Sequence, residues 1–497
     1  MKSRLWLWGI AICLCATVAL SSQLFAQASP QHHPRHQQYT LYDVGTFGGP
    51  ISYGSFGAIS LTAAGAIGWA DTTNPDPYCW VDCMVGHGFL WRNGHLSDLG
   101  ALPGSGNGSY AFAVNNYGLV VGVSENGAID PVTEYPETTP VAWFNGHIYD
   151  LRDSNRRDFG GTQGYAAMVN NRGQIVGGSS NTTPDPLVQY GLSQWFPFTT
   201  QMRAFIWEGG RMQDLGTLGG PDAWASYLTD SGLVVGGSYT GATNPATGDP
   251  IWDAFLWDGR RMIDLGNFGS DWSWPAWVNN KGQVTGYSLT PGGTVHAFLW
   301  DHGRLTDLGT PGGYSSGAYW INEAGVITGF DNADAAHYGA VIWSHGNITR
   351  LGNLPGSIYC TGSNINEAQQ VAGVCYDEDG STPGFLWENG DQAALNDLVQ
   401  PPSDLAITTT LQIDDRGRIV ADAVDSDGNN HLVVLVPNGD CDSSCQQRIA
   451  EHQNNPRAVQ PMNKRIPMPR FGKPSDVLRN PFGRVPGMPG SGAFLAH

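Results

Sequence analysis

The sequence predicts an all-β fold: a single eight-bladed β-propeller of four-stranded antiparallel blades, closed by the N-terminal strand completing the last blade. Three observations lead there. Two short apolar runs flanking Asn-x-x-Gly recur along the chain. A second signature, an apolar run ending in Trp, then a Gly turn and Asp-Leu-Gly, alternates with the first. Helical periodicity is missing throughout the body, and 67 glycines in 497 residues are too many for helices.

The first signature is clearest from Ala318 to Gly329. Asn suits the first position of a type I turn and Gly the position that needs positive φ, so each copy reads as a β-hairpin. Copies run from Asn115 to Gly118, Asn170 to Gly173, Asn279 to Gly282 and Asn322 to Gly325. Weaker ones run from Thr62 to Gly65, Thr229 to Gly232, Asn366 to Gln369 and Asp414 to Gly417, making eight.

The second signature is clearest from His296 to Gly309. Its aligned tryptophans are Trp91, Trp143, Trp207, Trp257, Trp300, Trp343 and Trp387. A Trp at one fixed place in every repeat is expected to pack between neighbouring sheets with its N–H bonded locally. The aspartates of Asp-Leu-Gly (Asp43, Asp98, Asp150, Asp214, Asp264, Asp307, Asp397) are expected to accept backbone N–H groups near strand ends, because so many equivalent copies cannot all be catalytic. Two hairpins of about fifty residues together make one blade. The body opens with a lone outer strand, Tyr39 to Gly45, and closes with a lone third strand, His431 to Pro437. These pieces sum to one blade, which a ring explains and a linear stack with capping repeats does not.

The motifs His296-Ala297-Phe298-Leu299-Trp300 and Asp214-Leu215-Gly216-Thr217-Leu218-Gly219-Gly220, with the Ile-Asn-x-x-Gly hairpins, resemble the HAF-repeat family of bacterial extracellular proteins. The resemblance covers nearly everything from Tyr39 to Pro437, with Leu435, Arg350 and Gln369 departing from the Trp, Asp and Gly places. It implies export and a repetitive β fold, and brings no activity to any residue.

Four segments are expected: a signal peptide over 1–28, a flexible His/Gln-rich leader over 29–38, the propeller over 39–437, and a basic Pro-rich disordered tail over 438–497. Lys2 and Arg4 precede the apolar run from Leu5 to Leu20 and the A-x-A-like Ala26-Gln27-Ala28, the plan of a cleaved secretory signal. The mature chain is therefore expected in the periplasm or outside the cell, as a monomer with no membrane span. From Gln37 to Gln447, 14 Lys/Arg stand against 42 Asp/Glu, a net −28, while the tail from Arg448 is +6. An acidic body argues against nucleic acid as a partner. The six cysteines left after cleavage fall in local pairs, Cys79 with Cys83, Cys360 with Cys375 and Cys441 with Cys445, expected as disulfides in an exported chain.

No nucleophile elbow or phosphate loop occurs in the body. His87, His296 and His431 share one repeat position, a blade apart and too distant for one metal. Asp377 and Asp379, and Asp425, Asp427 and Asn429, alternate oxygens before or around a Gly in the manner of calcium loops, though the same residues are ordinary turn formers. No catalytic residue, cofactor or metal is assigned, with calcium at these loops the one option kept open.

Loop length is the informative asymmetry. The second-to-third connections are long only early in the chain: Asp71 to Gly86, Glu125 to Pro140, Ser180 to Met202 and Tyr239 to Asp253. Long loops on a rigid scaffold concentrate binding residues, and aromatics on them mark contact surfaces. Tyr78, Trp80, Tyr135, Trp195, Phe196 and Trp252 are the candidate ligand contacts. The favoured function is a secreted, non-catalytic binding module whose long-loop rim on blades one to four contacts an extracellular glycan or protein. The alternative is a polysaccharide hydrolase or lyase with an acidic pair at the channel mouth; the sequence leaves catalysis open.

Overall fold

The computed structural model describes residues 36–438 apart from 56–58, 77–82, 105–106, 132, 153–158, 189–198, 311–313 and 333–337. The expected signal peptide and nearly all of the basic tail lie outside the described residues, as do Cys79, Cys441 and Cys445. All described strands belong to the compact unit Gln38–His497.

Hydrogen bonding arranges the strands in seven sheets, five of them four-stranded and antiparallel. The eight-stranded sheet is two such modules joined by one parallel pair, Val295 with Ser315. The five-stranded sheet is a module whose inner strand comes in two pieces, Gly48–Gly54 and Leu61–Thr62, both paired to Gly65–Pro75. In chain order the modules occupy 48–98, 109–150, 160–214, 223–264, 273–307, 315–352 and 357–394. The last is built from Ala406–Ile413, Ile419–Val424 and Asn430–Pro437, with Tyr39–Asp43 as its fourth strand. That N-terminal strand pairs in register from Tyr39 opposite Pro437 to Asp43 opposite Val433.

One irregularity explains much of the repeated sequence. The inner strand of each module from the second onward carries an extra residue at the same place: Phe112, Ala167, Ser226, Ala276, Tyr319, Ser363 and Leu411. Before the bulge a carbonyl turns toward the second strand. A Cβ on Gly122, Gly177, Gly236, Gly286 or Gly329 would stand 1.9–2.0 Å from that oxygen, so no larger residue fits. Opposite these glycines the third strand places its bulky residue: Phe205 faces Gly177, Phe255 faces Gly236 and Phe298 faces Gly286. All three rings are fully buried, each stabilising the fold by about 1.5–3 kcal/mol. Six of the repeat tryptophans are buried as expected, and Trp387 is half-buried. Trp143 donates to the Gly100 carbonyl at 3.1 Å; Trp343 Nε1 has no partner among the described residues, against expectation.

Successive modules are tied by one recurrent bond. The third-strand N–H of Gly88, Ala254 and Ala297 donates to Ser109, Ser273 and Ser316 Oγ of the following module, at 2.9–3.0 Å. Leu432 makes the same bond to Ser52 at 3.0 Å, linking the last module to the first. A shared core of Val44, Leu61, Phe89, Trp91, Val420 and Leu432 also packs these two together.

Two details depart from the sequence reading. A four-residue helix, Leu395–Leu398, joins the seventh module to the eighth because Leu395 and Leu398, three apart, both enter the core. Asp397 lies in that helix instead of ending a fourth strand. Cys360 and Cys375 sit directly opposite across one hairpin and form a disulfide; Cys83 is also disulfide-bonded. No described helix is long and apolar enough to cross a membrane.

Candidate functional site

The repeated polar residues are occupied by the fold. Asp43, Asp98, Asp214, Asp264 and Asp307 each accept the N–H of the glycine two residues on, at 2.7–2.9 Å, and Asp150 accepts that of Arg152. The same carboxylates bond a third-strand side chain across the sheet: Asp98 with His87, Asp307 with His296, Asp214 with Arg203. His431 completes this pattern by pairing with Asp43 of the N-terminal strand at 3.0 Å. Burial opposes ionisation of Asp98, but the His87 hydrogen bond and charge and the Gly100 N–H outweigh it and hold the carboxyl below its ordinary range. The histidines thus serve separate cross-strand pairs.

The calcium-loop candidates bond largely within their own turns. Asp425 Oδ1 accepts the N–H groups of Asp427 and Asn429, and Oδ2 the Asn429 amide. Asp377 accepts the hydroxyls of Ser357 and Ser381, and Asp379 the Ser381 N–H. Among the described residues no group of three or more His, Cys, Asp and Glu is placed to hold a metal.

The early second-to-third connections are shorter than expected, because the strands run on. In each of the first four modules pairing slips by the same amount and resumes. Asp71 opposite Gly86 is followed by Pro75 opposite Met84, and Glu125 opposite Thr138 by Ile129 opposite Pro136. Ser180 opposite Met202 is likewise followed by Pro184 opposite Thr200, and Tyr239 opposite Trp252 by Thr243 opposite Pro250. Inside each slip one side chain caps the N–H two residues on: Thr72 for Asn74, Asn126 for Ala128, Asn181 for Thr183 and Thr240 for Ala242. The last two modules close the same connection with tight turns at Asp377–Gly380 and Asp425–Gly428, and the fifth with one at Thr290–Gly293. Three exposed apolar side chains ride on the extensions: Ile129, Tyr135 and Val188.

Of the six aromatics expected on this rim, Tyr78, Trp80, Trp195 and Phe196 lie outside the described residues. Tyr135 is 42% exposed. Trp252 is not displayed. It lies within the strand Pro250–Trp257, half-buried, stacked on Trp272 at 5.8 Å and packed against Trp224 and Trp274. The register that puts Tyr239 opposite Trp252 turns the indole toward the neighbouring module. The structure therefore brings Tyr135 to the surface and leaves Trp252 in an aromatic cluster.

Beside the extensions of the third and fourth modules, Asp222 takes the Met202 N–H at 2.7 Å and its carboxyl neighbours that of Asp185. Burial, with the charge of neighbouring Asp185, pushes its carboxyl up to about 7. Burial likewise pushes Asp253 and Asp422 up to about 6.

The opposite end of the strands holds an arrangement the sequence reading missed. In seven of the eight hairpins the residue after the first position is linked to its counterpart in the next module. Ala63, Asn116, Asn171 and Asp230 donate their N–H to side-chain oxygens of Asn116, Asn171, Asp230 and Asn280. Asn280, Glu323 and Glu367 continue to Glu323, Glu367 and Asp415. The hairpin asparagines add a second line: Asn115, Asn170, Asn279, Asn322 and Asn366 donate Nδ2 to the next module's carbonyl at 3.0–3.1 Å. Arg418 does so from the last module to Thr62 of the first. The signal was present in the chain: an acceptor follows the first turn residue in seven of the eight copies, Ala63 being the exception.

No family model matches the chain, and no curated protein matches it. Solved structures with some likeness include TolB from Acinetobacter baumannii, 9% identical with a TM-score of 0.31, over 53% of this chain and 63% of that one. A gluconolactonase from Xanthomonas campestris is 10% identical with a TM-score of 0.27, over 74% and 96%. A Trypanosoma rangeli sialidase is 10% identical with a TM-score of 0.29, over 73% and 57%. The chain thus spans less than two thirds of the TolB and sialidase chains, and likenesses this distant carry no statement about activity.

Proposed function

We propose that the protein is an exported, non-catalytic binding module of the HAF-repeat kind, an eight-bladed β-propeller that contacts an extracellular glycan or protein with the extended rim of its first four blades. The observation that carries this reading is the contrast between extensions with one shared bulge and exposed Ile129, Tyr135 and Val188, and the tight turns at the same place later in the chain. A retained surface accounts for one set of connections growing alike while others stay minimal. Ring closure is supported by the shared Ser bond and the His431–Asp43 pair at the joint between last and first modules. Glycan-array binding of the mature protein tests the function. Tyr135→Ala and Ile129→Ser should weaken the bound glycan by roughly 1–3 kcal/mol if these are central contacts, with unchanged melting. Equal binding by variants and parent would refute a contact at these extensions.

One observation favours the second reading, a polysaccharide hydrolase or lyase. A carboxyl raised to about 7 beside another carboxylate, Asp222 by Asp185, is an acid still protonated near neutrality. Release of reducing or unsaturated ends from polysaccharide by the parent, lost in Asp222→Asn, would establish it over the first.

A further inference from the structure

Among the hairpin tips of the first six modules lies a cavity of about 140 Å³. Its lining is half apolar, including Ile59, Met168, Leu228 and Trp277, and half polar, including the tip residues Asp230 and Glu323. We infer that this cavity binds a small primary ammonium ion carrying an apolar body about the size of one six-membered ring.

Volume sets the size: an apolar cavity of about 150 Å³ accommodates benzene. Charge sets the sign. Asp230 uses both carboxylate oxygens on Asn171, and Glu323 Oε1 takes the backbone and side-chain N–H groups of Asn280. Glu323 Oε2 has no hydrogen bond among the described residues and remains free to accept one from a ligand. Glu367 and Asp415 follow on the next two tips, adding negative potential. The cations of these tips, Arg172 and Lys281, are not among the lining residues, and Arg172 is bonded to Gln174. Trp277 is already engaged by two rings, stacked on Trp320 at 3.5 Å and in a T-shaped contact with Tyr227 at 5.2 Å. Recognition of the cation therefore falls to the carboxylates, and the apolar wall holds the body. The site is at the opposite end of the strands from the proposed rim, so it stands or falls independently.

Calorimetric titration with benzylammonium, benzyl alcohol and benzoate tests this. Benzylammonium should bind, with benzyl alcohol weaker and benzoate silent. Glu323→Gln and Asp230→Asn keep an acceptor oxygen for the tip linkage, and each should weaken benzylammonium roughly three- to tenfold with little change for the alcohol. Tyr135→Ala should leave the titration unchanged. Equal binding of the ammonium and the alcohol, or loss of binding in Tyr135→Ala, would overturn the assignment, as would no binding at millimolar ligand.

Discussion

The two ends of each module follow different rules. At the hairpin tips seven of the eight modules do the same thing: an Asn or its stand-in closes the turn, and the next residue ties it to the following module. At the other end the first four modules extend through a common bulge, while the fifth, seventh and eighth turn back at once. The difference has a physical origin. Inner strands of adjacent modules share only an isolated bridge, Ile59 with Ala113, among the described residues, so most of their edge N–H and C=O groups need side-chain partners. That requirement repeats at every joint and fixes residue types there. The second-to-third connections carry no such requirement, so their length is free to answer to something outside the fold.

The joint between the last and first modules is where this comparison breaks most readily. Ala63 supplies no side-chain oxygen to Asp415, and the tip linkage is replaced by Arg418 on Thr62 and by Gln412, which accepts the N–H groups of Ser60 and Leu61. The N-terminal strand covers the outer edge of the same module. A chain starting at Gly48 should expose His431 to Pro437 as an open apolar edge and be insoluble, or melt far below the parent. Unchanged melting would show that this strand does not close the fold.

Next in size come the linking side chains. Gln412→Ala strands two buried N–H groups and should cost roughly 2–4 kcal/mol. Asn322→Ala, at an interior joint, removes one donated and one accepted bond and should cost about 1–3 kcal/mol. Urea melts of the two measure whether the closing joint is as strong as the interior ones. A loss under half a kilocalorie per mole for both would mean the linkage only decorates the tips.

The closing joint also carries a pH dependence. Asp422, buried, accepts the Gly54 N–H of the first module and is pushed up to about 6. The unfolded chain holds this carboxyl near about 3.9. Its contribution is therefore fully present below about pH 4 and is lost as pH rises through about 6. Asp422→Asn should flatten that slope and stabilise the protein at pH 8, on the order of 2 kcal/mol. An unaltered slope between pH 4 and 7 would place the dependence elsewhere, Asp253 and Asp222 being the next groups raised the same way.

Legibility followed the same division. Hairpin positions, the strand that completes the last module and the facing Cys360 and Cys375 were readable because turn chemistry, β pairing and repeat arithmetic are local or periodic. The glycine opposite each buried Phe was not read from the sequence, because its cause, a carbonyl about 2 Å from where a Cβ would stand, needs three strands in place. Trp252 was misread as a loop residue because Thr240 and its equivalents cap a bulge and let the strand continue, which no residue type in that stretch announces.

The smallest stability effect is expected where the functional reading is tested. Tyr135 is 42% exposed, follows Glu134 at a positive φ of 58°, and hydrogen-bonds locally, its N–H to Thr133 and its carbonyl from Asp130. Both bonds are made by the backbone, so Tyr135→Ala keeps them and removes only an exposed ring. Melting should shift by no more than about 0.5 kcal/mol. Trp252→Ala, by contrast, empties a place among Trp224, Trp272 and Trp274 and should cost about 3 kcal/mol or more. If the extensions are a contact surface, Tyr135→Ala lowers ligand affinity at constant stability, whereas Trp252→Ala lowers stability first. A Tyr135→Ala protein as destabilised as Trp252→Ala would make this extension part of the scaffold, and the contrast between the two ends of the strands would lose its functional meaning.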